Sequence, residues 1–271
     1  MIARATLLFV LCTSSLAVAQ PGEAENEPAG GALEEEHLQW WPWVISVPLL
    51  GMSLAIDRSA SADEARWTGR GPIDRGFGSW ILDTRRARER ADLASDVTLY
   101  ALFAAPVLDA TLWREGESPS RDAYRLLTAD TLAFSVQTLA VVATKVGFRR
   151  ARPFNRGCRE DPEFAEDCET EDSYRSFISG HTAAAFTGAS LVCAHQRLRG
   201  LSPLGRVECV GALLLASVTG ALRIASAKHY FADVATSAVI GFLSGFVVPL
   251  YVYPRELPRP EPPPSFARMA W

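Results

Sequence analysis

Three short segments concentrate the residues able to do chemistry. In the first, Lys145, Arg149 and Arg152 recur at i, i+4 and i+7 and therefore share one helical face, which Pro153 ends. The second is Ser176-Phe177-Ile178-Ser179-Gly180-His181-Thr182, followed by the small residues Ala183 to Ala185. It reads as the polar start of a helix, where unpaired backbone N–H groups and the positive dipole end attract an anion. Gly180 would let the backbone approach that anion closely. The third holds Arg223, Lys228, His229 and Asp233. Here the i, i+4 spacing lets the Asp233 carboxylate accept from one imidazole nitrogen of His229 and aim the other outward. Each segment alone is ordinary: a helix cap, a surface pair, basic residues answering a helix dipole. If helices over 122–148, 181–198, 204–223 and 229–252 run antiparallel, however, all three meet at one end of a bundle. Cations, a helix N-terminus and two histidines then converge on a tetrahedral oxyanion. The matching chemistry is phosphoryl transfer through a histidine nucleophile.

At these residues the chain resembles the type 2 phosphatidic acid phosphatase / vanadium-dependent haloperoxidase superfamily. That signature is Lys-(six residues)-Arg-Pro, Pro-Ser-Gly-His, then Ser-Arg-(five residues)-His-(three residues)-Asp. Lys145…Arg152-Pro153, Ser179-Gly180-His181 and Arg223…His229…Asp233 occur in that order and spacing. Ile178 stands in place of the usual proline and Leu222 in place of the usual serine, which puts subgroup and substrate in question more than activity.

The resemblance implies that His229 is the nucleophile, that Asp233 orients it, and that His181 is the general acid on the leaving oxygen. It further implies that Lys145, Arg152, Arg223, the Ser179 hydroxyl and the Gly180 N–H hold the phosphoryl oxygens. No metal and no cofactor are implied, since the cationic side chains supply the neutralisation. Arg149, Arg150 and Lys228 fall outside the signature and read as contributors to the field at most. The expected activity is a metal-independent phosphatase acting on a phosphomonoester or pyrophosphate, with a lipid phosphate favoured. The rivals are a vanadate-dependent haloperoxidase and a non-catalytic phosphate-binding envelope protein.

The elements around these segments follow from composition. The 271 residues are 48% hydrophobic and 21% charged, with a net charge of -4 and a mean hydropathy of +0.06. Only two of the 27 basic residues are lysine, Lys145 and Lys228. That balance argues against a nucleic-acid surface, and the apolar content against disorder. Residues 1–19 read as a secretory signal, with Leu7 to Cys12 as its apolar core and Ala17-Val18-Ala19 as its cleavage site. Residues 20–39 form an acidic tether, 40–93 an interfacial or irregular segment, 94–253 the helical domain, and 254–271 a proline-rich tail. Helices are expected near 94–112, 122–148, 181–198, 204–223 and 229–252, with little strand signal, so the fold class is all-α: an antiparallel bundle of about five to six helices.

Two further readings concern the envelope. Cys158 and Cys168 are a plausible local disulfide in an oxidising compartment, whereas Cys193 and Cys209 read as core residues. Neither pair has zinc spacing, and the acidic stretch Glu160 to Asp172 lacks the ordered spacing of a calcium loop. His37 and His195 have no partner in any motif. Val234 to Tyr253 is an uncharged run long enough to span a bilayer, with Gly241 and Gly245 as a close-packing face. The 197–206 loop holds three arginines and no acid, against six arginines and eight acids in 149–175. By the positive-inside rule, the expected location is the inner membrane with a periplasmic site, a soluble periplasmic bundle being the alternative. A phosphorylated lipid or small ester and the membrane are the expected partners, with no nucleic acid and no protein partner.

Overall fold

A computed structural model describes residues 40–59, 64–112, 119–158, 164 and 172–253. The expected signal, tether and tail, together with His37, Cys168 and most of the acidic 160–172 stretch, lie outside the described residues. The described chain is all-helical, with no strand. Its helices are α1 (Trp41–Ser59), α2 (Pro72–Gly76), α3 (Arg85–Leu112), α4 (Pro119–Phe148), α5 (Phe154–Gly157), α6 (Gly180–Leu198), α7 (Pro203–Ala225) and α8 (Phe231–Val252). The four antiparallel helices expected from the sequence are all present. The fifth, expected from 94, starts at Arg85 instead: the charged stretch before it is helical, with Arg85 Nε donating to Glu89 at 2.9 Å across one turn.

The axis of the bundle is α6, which touches α3, α4, α7 and α8. It can occupy that place because its side chains are small and its hydroxyls bond internally: Thr187 donates to the Ala183 carbonyl and Ser190 to that of Phe186. Gly241 and Gly245 of α8 sit against its backbone. A Cβ at Gly241 would lie 2.2 Å from the Ala183 oxygen, and one at Gly245 2.3 Å from that of Thr187. The expected glycine face is thus the α6–α8 contact.

Four segments, Arg85–Leu112, Asp122–Phe148, Pro203–Ala225 and Phe231–Val252, are long and apolar enough to cross a membrane. The apolar windows of the first, third and fourth are only 28% buried, so side chains such as Leu108, Leu214, Val218 and Leu243 face outward. Such a continuous apolar exterior suits lipid, and the fold is that of a membrane-embedded helical bundle. By contrast α4 is 78% buried in its window, because α1 packs over it.

Opposite the signature segments, the bundle is tied by polar groups that the sequence reading left without roles. His195 sits between two carboxylates, with Nδ1 2.8 Å from Asp109 of α3 and Nε2 2.9 Å from Asp130 of α4. Arg199 and Gln196 also bond Asp109. Cys193 and Cys209 are joined as a disulfide, which corrects their reading as plain core residues. Both lie eight residues from Leu201, so an antiparallel hairpin of α6 and α7 brings them face to face. Cys158 is disulfide-bonded too.

Candidate active site

The antiparallel order of the helices puts the C-terminal ends of α4 and α7 beside the N-terminal ends of α3, α6 and α8. Between them lies a cavity of about 400 Å³. Lys145, Arg152, His181, Arg223, Lys228 and His229 all line it, so all three signature segments contribute to one site. Ser179, Gly180 and Asp233 do not line it and stand one layer behind, fully or nearly fully buried.

His229 follows α7 and precedes the first turn of α8. Its Nδ1 lies 2.7 Å from the Ser176 carbonyl. A carbonyl can only accept, so Nδ1 carries the proton and Nε2 keeps its lone pair on a ring that lines the cavity. Burial, then the positive charges of Arg152, Arg223 and Lys145, push its pKa well below the ordinary 6.5. The resulting neutral imidazole is the nucleophilic form.

The expected direct bond from His229 to Asp233 is not made. Nδ1 and Oδ2 are 3.8 Å apart, within ion-pair reach but beyond a hydrogen bond. The carboxylate is occupied elsewhere, accepting from Ser176 Oγ at 2.5 Å, from the Tyr230 N–H at 3.0 Å and from Arg150. Asp233 therefore caps α8 and reaches the histidine through Ser176, whose hydroxyl it holds and whose carbonyl holds the ring.

Arg150, read from sequence as a contributor to the field at most, is fully buried. It bonds both Asp233 and Asp74, and its guanidinium carbon lies 3.9 Å from the Trp67 ring centroid and 4.2 Å from that of Tyr230. Asp74 in turn accepts from the Ala232 N–H at 2.9 Å and the Gly71 N–H at 3.0 Å. The segment around α2 is thereby bolted to the start of α8. No local signal in the sequence reveals this pairing, since Asp74 and Arg150 are 76 positions apart.

The cationic wall has its own carboxylates. Arg223 bonds Asp92 and also donates to Ser95 Oγ at 3.1 Å. Nε2 of His181 is 2.6 Å from Asp96 Oδ1. Asp92 and Asp96 are i, i+4 neighbours on α3, and two acids on one face of an Ala- and Leu-rich helix were the signal that could have found them. Arg152 donates through Nε to the Asp172 carbonyl at 2.8 Å and pairs with its carboxylate at 3.3 Å. Burial raises the pKa of Asp172, but Arg152 and Lys145 outweigh it and hold the group below its usual value. Ser179 caps α6, its Oγ accepting from the Thr182 N–H at 3.3 Å and the Thr182 hydroxyl at 2.9 Å, so its own proton remains free to be donated. Among the described residues no cluster of His, Cys, Asp and Glu could hold a metal ion.

The arrangement is a cationic recess with one neutral imidazole carrying a lone pair, a second imidazole paired to a carboxylate, and five basic side chains, Lys145, Arg152, Arg175, Arg223 and Lys228. It can bind a dianion and displace a group from it. One family model, described as PAP2 superfamily, matches residues 126–257, a span that contains every signature residue. No curated protein and no solved structure matches the chain.

Proposed function

Since residues 126–257 belong to the type 2 phosphatidic acid phosphatase (PAP2) superfamily, whose membership suggests phosphatase-type activity, we propose that this chain is a metal-independent phosphatase using His229 as its nucleophile. The observation that carries this reading is the Nδ1–H bond to the Ser176 carbonyl, which leaves Nε2 of His229 unprotonated in a cavity lined by Lys145, Arg152 and Arg223.

In the proposed cycle Nε2 attacks phosphorus, an N–P bond forms and the bond to the leaving oxygen breaks. His181 takes part in its imidazolium form: with Nε2–H held by Asp96, it gives that oxygen the proton on Nδ1. Water then attacks the phosphohistidine, passes a proton back to His181, and the N–P bond breaks to release inorganic phosphate. Lys145, Arg152 and Arg223 neutralise the phosphoryl oxygens, the part a metal plays elsewhere. Ser179 and Gly180 stand one layer behind the cavity and fix the start of α6, which carries His181. Asp233 and Arg150 act as positioning residues through Ser176.

The substrate we propose is the phosphate or pyrophosphate of a lipid, because the cavity lies at one end of a bundle whose exterior is apolar. The positive-inside asymmetry supports an exported protein of the inner membrane with this end on the periplasmic side. The test is phosphate release from lipid phosphates by the detergent-solubilised protein in the presence of EDTA. Turnover by the wild type, and a fall of at least about 10³-fold in His229→Ala, is expected. A His229→Ala variant as active as the wild type removes the mechanism.

A further inference from the structure

The cavity has a second wall that the phosphoryl chemistry does not use. It is formed by Gln137, Thr138, Val141 and Val142 of α4, running away from Lys145. Gln137 lies two turns from Lys145, about 12 Å along the helix and towards the middle of the bundle. It is 1% exposed and Thr138 is 5% exposed. Among the described residues, neither the amide nitrogen nor the amide oxygen of Gln137 has a hydrogen-bond partner, and neither does the hydroxyl of Thr138.

The rest of α4 makes this unusual. Thr131 donates to the Leu127 carbonyl at 2.8 Å, Ser135 to that of Thr131 at 2.7 Å and Thr144 to that of Ala140 at 2.7 Å. These hydroxyls satisfy themselves on the preceding turn, as helical Ser and Thr in apolar surroundings do. Thr138 does not, although the same option is open to it. Unpaired polar groups in a buried, membrane-embedded helix are costly, and those that persist mark a site of use.

We propose that Gln137 and Thr138 form a hydrogen-bonding subsite for the alcohol part of the substrate, so that the preferred substrate is a phosphate ester of a polyol carrying a free hydroxyl. The proposal rests on the phosphatase reading and sharpens it. The amide oxygen of Gln137 needs a donor, which hydrocarbon, an ester carbonyl and a second phosphate cannot supply. A hydroxyl both donates and accepts, matching the amide and Thr138 together, while Val141 and Val142 contact the carbon skeleton. A diacylated phosphatidate and a polyprenyl pyrophosphate leave the amide oxygen of Gln137 without a donor.

The experiment compares two substrates that differ by one donor: 1-oleoyl lysophosphatidate, with its free 2-hydroxyl, and its 2-O-methyl ether, both presented in micelles to the full-length protein. The wild type should prefer the free hydroxyl in kcat/KM by about 10- to 100-fold, because a site built to bond a hydroxyl rejects the analogue lacking its proton. Gln137→Leu should compress that ratio to less than about threefold. A wild-type ratio near one, or a ratio unmoved by both Gln137→Leu and Thr138→Val, overturns the proposal. Thermal unfolding without substrate gives a second readout. Replacing an unpaired amide by an apolar side chain should leave Gln137→Leu as stable as the wild type or more so. A melting temperature lowered by several degrees would show that the fold itself uses the amide, and the subsite would be wrong. Should the wild type release phosphate from neither ester, the phosphatase reading fails, and the unfolding comparison still decides the subsite.

Discussion

Two of the residues that matter most here behave differently from what their spacing suggests. His229 and Asp233 stand at i, i+4, yet the ring proton goes to the Ser176 carbonyl and the carboxylate to Arg150, Ser176 and Tyr230. A depressed pKa on His229 has a definite pH signature. The neutral ring is the reactive form, so the acid limb of kcat/KM should fall below pH 6.5, the ordinary histidine value. The stability it contributes has the same sign: present above the unfolded-state pKa of about 6.5 and lost as pH falls towards the lower folded value. An acid limb at or above 6.5 in a pH–rate profile would contradict this environment. Arg150 carries a second residue-scale prediction. Removing its fork in Arg150→Ala leaves Asp74 and Asp233 buried without their cationic partner, so a loss of about 3–5 kcal/mol is expected in denaturant or thermal unfolding. Stability within about 1 kcal/mol of the wild type would show that the bridge is not needed.

Among the elements, α8 has the most exacting position, because its first turn carries Asp233 just after His229 and its glycines rest on the α6 backbone. Gly241→Ala places a methyl 2.2 Å from the Ala183 oxygen, and backbone cannot yield as a flexible side chain can. The helix must move, at a cost of about 1–3 kcal/mol, and kcat should fall with it because Asp233 moves as well. Gly211→Ala of α7, where a Cβ meets nothing within 4 Å, is the control and should be near neutral. Equal melting temperatures and rates for the two variants would dissociate α8 seating from the site. Element positions were largely legible in the sequence, since apolar runs bounded by Pro, Gly and charge marked four of the helices. The start of α3 was hidden because Arg85 to Arg90 looks like loop composition, whereas Glu89 and Arg85 pair along a helix and Arg88 is buried. The Cys193–Cys209 bridge was readable only once α6 and α7 were taken as a hairpin about Leu201.

For the molecule as a whole, the local signals and the long-range ones divide cleanly. Lys145, Arg152, His181, Arg223 and His229 were identifiable from spacing and family resemblance, and the antiparallel bundle gathers them around one cavity. Contacts between segments far apart in the chain were not identifiable. Asp74 with Arg150, Asp92 with Arg223, Asp96 with His181 and the Asp109–His195–Asp130 clamp all join residues more than 60 positions apart, and no periodicity encodes them. The first three tie elements together at the cationic end and the last ties them at the opposite end, so one imidazole lone pair is presented among the basic groups that line the cavity. The most direct test of that arrangement is to quench the full-length protein during turnover of a lipid phosphate labelled with ³²P on its phosphoryl group. The account predicts a protein-bound label that is stable to base, labile to acid and absent from His229→Ala. An active wild type that never carries such label on rapid quenching, or a His229→Ala protein labelled to the same extent, would contradict it.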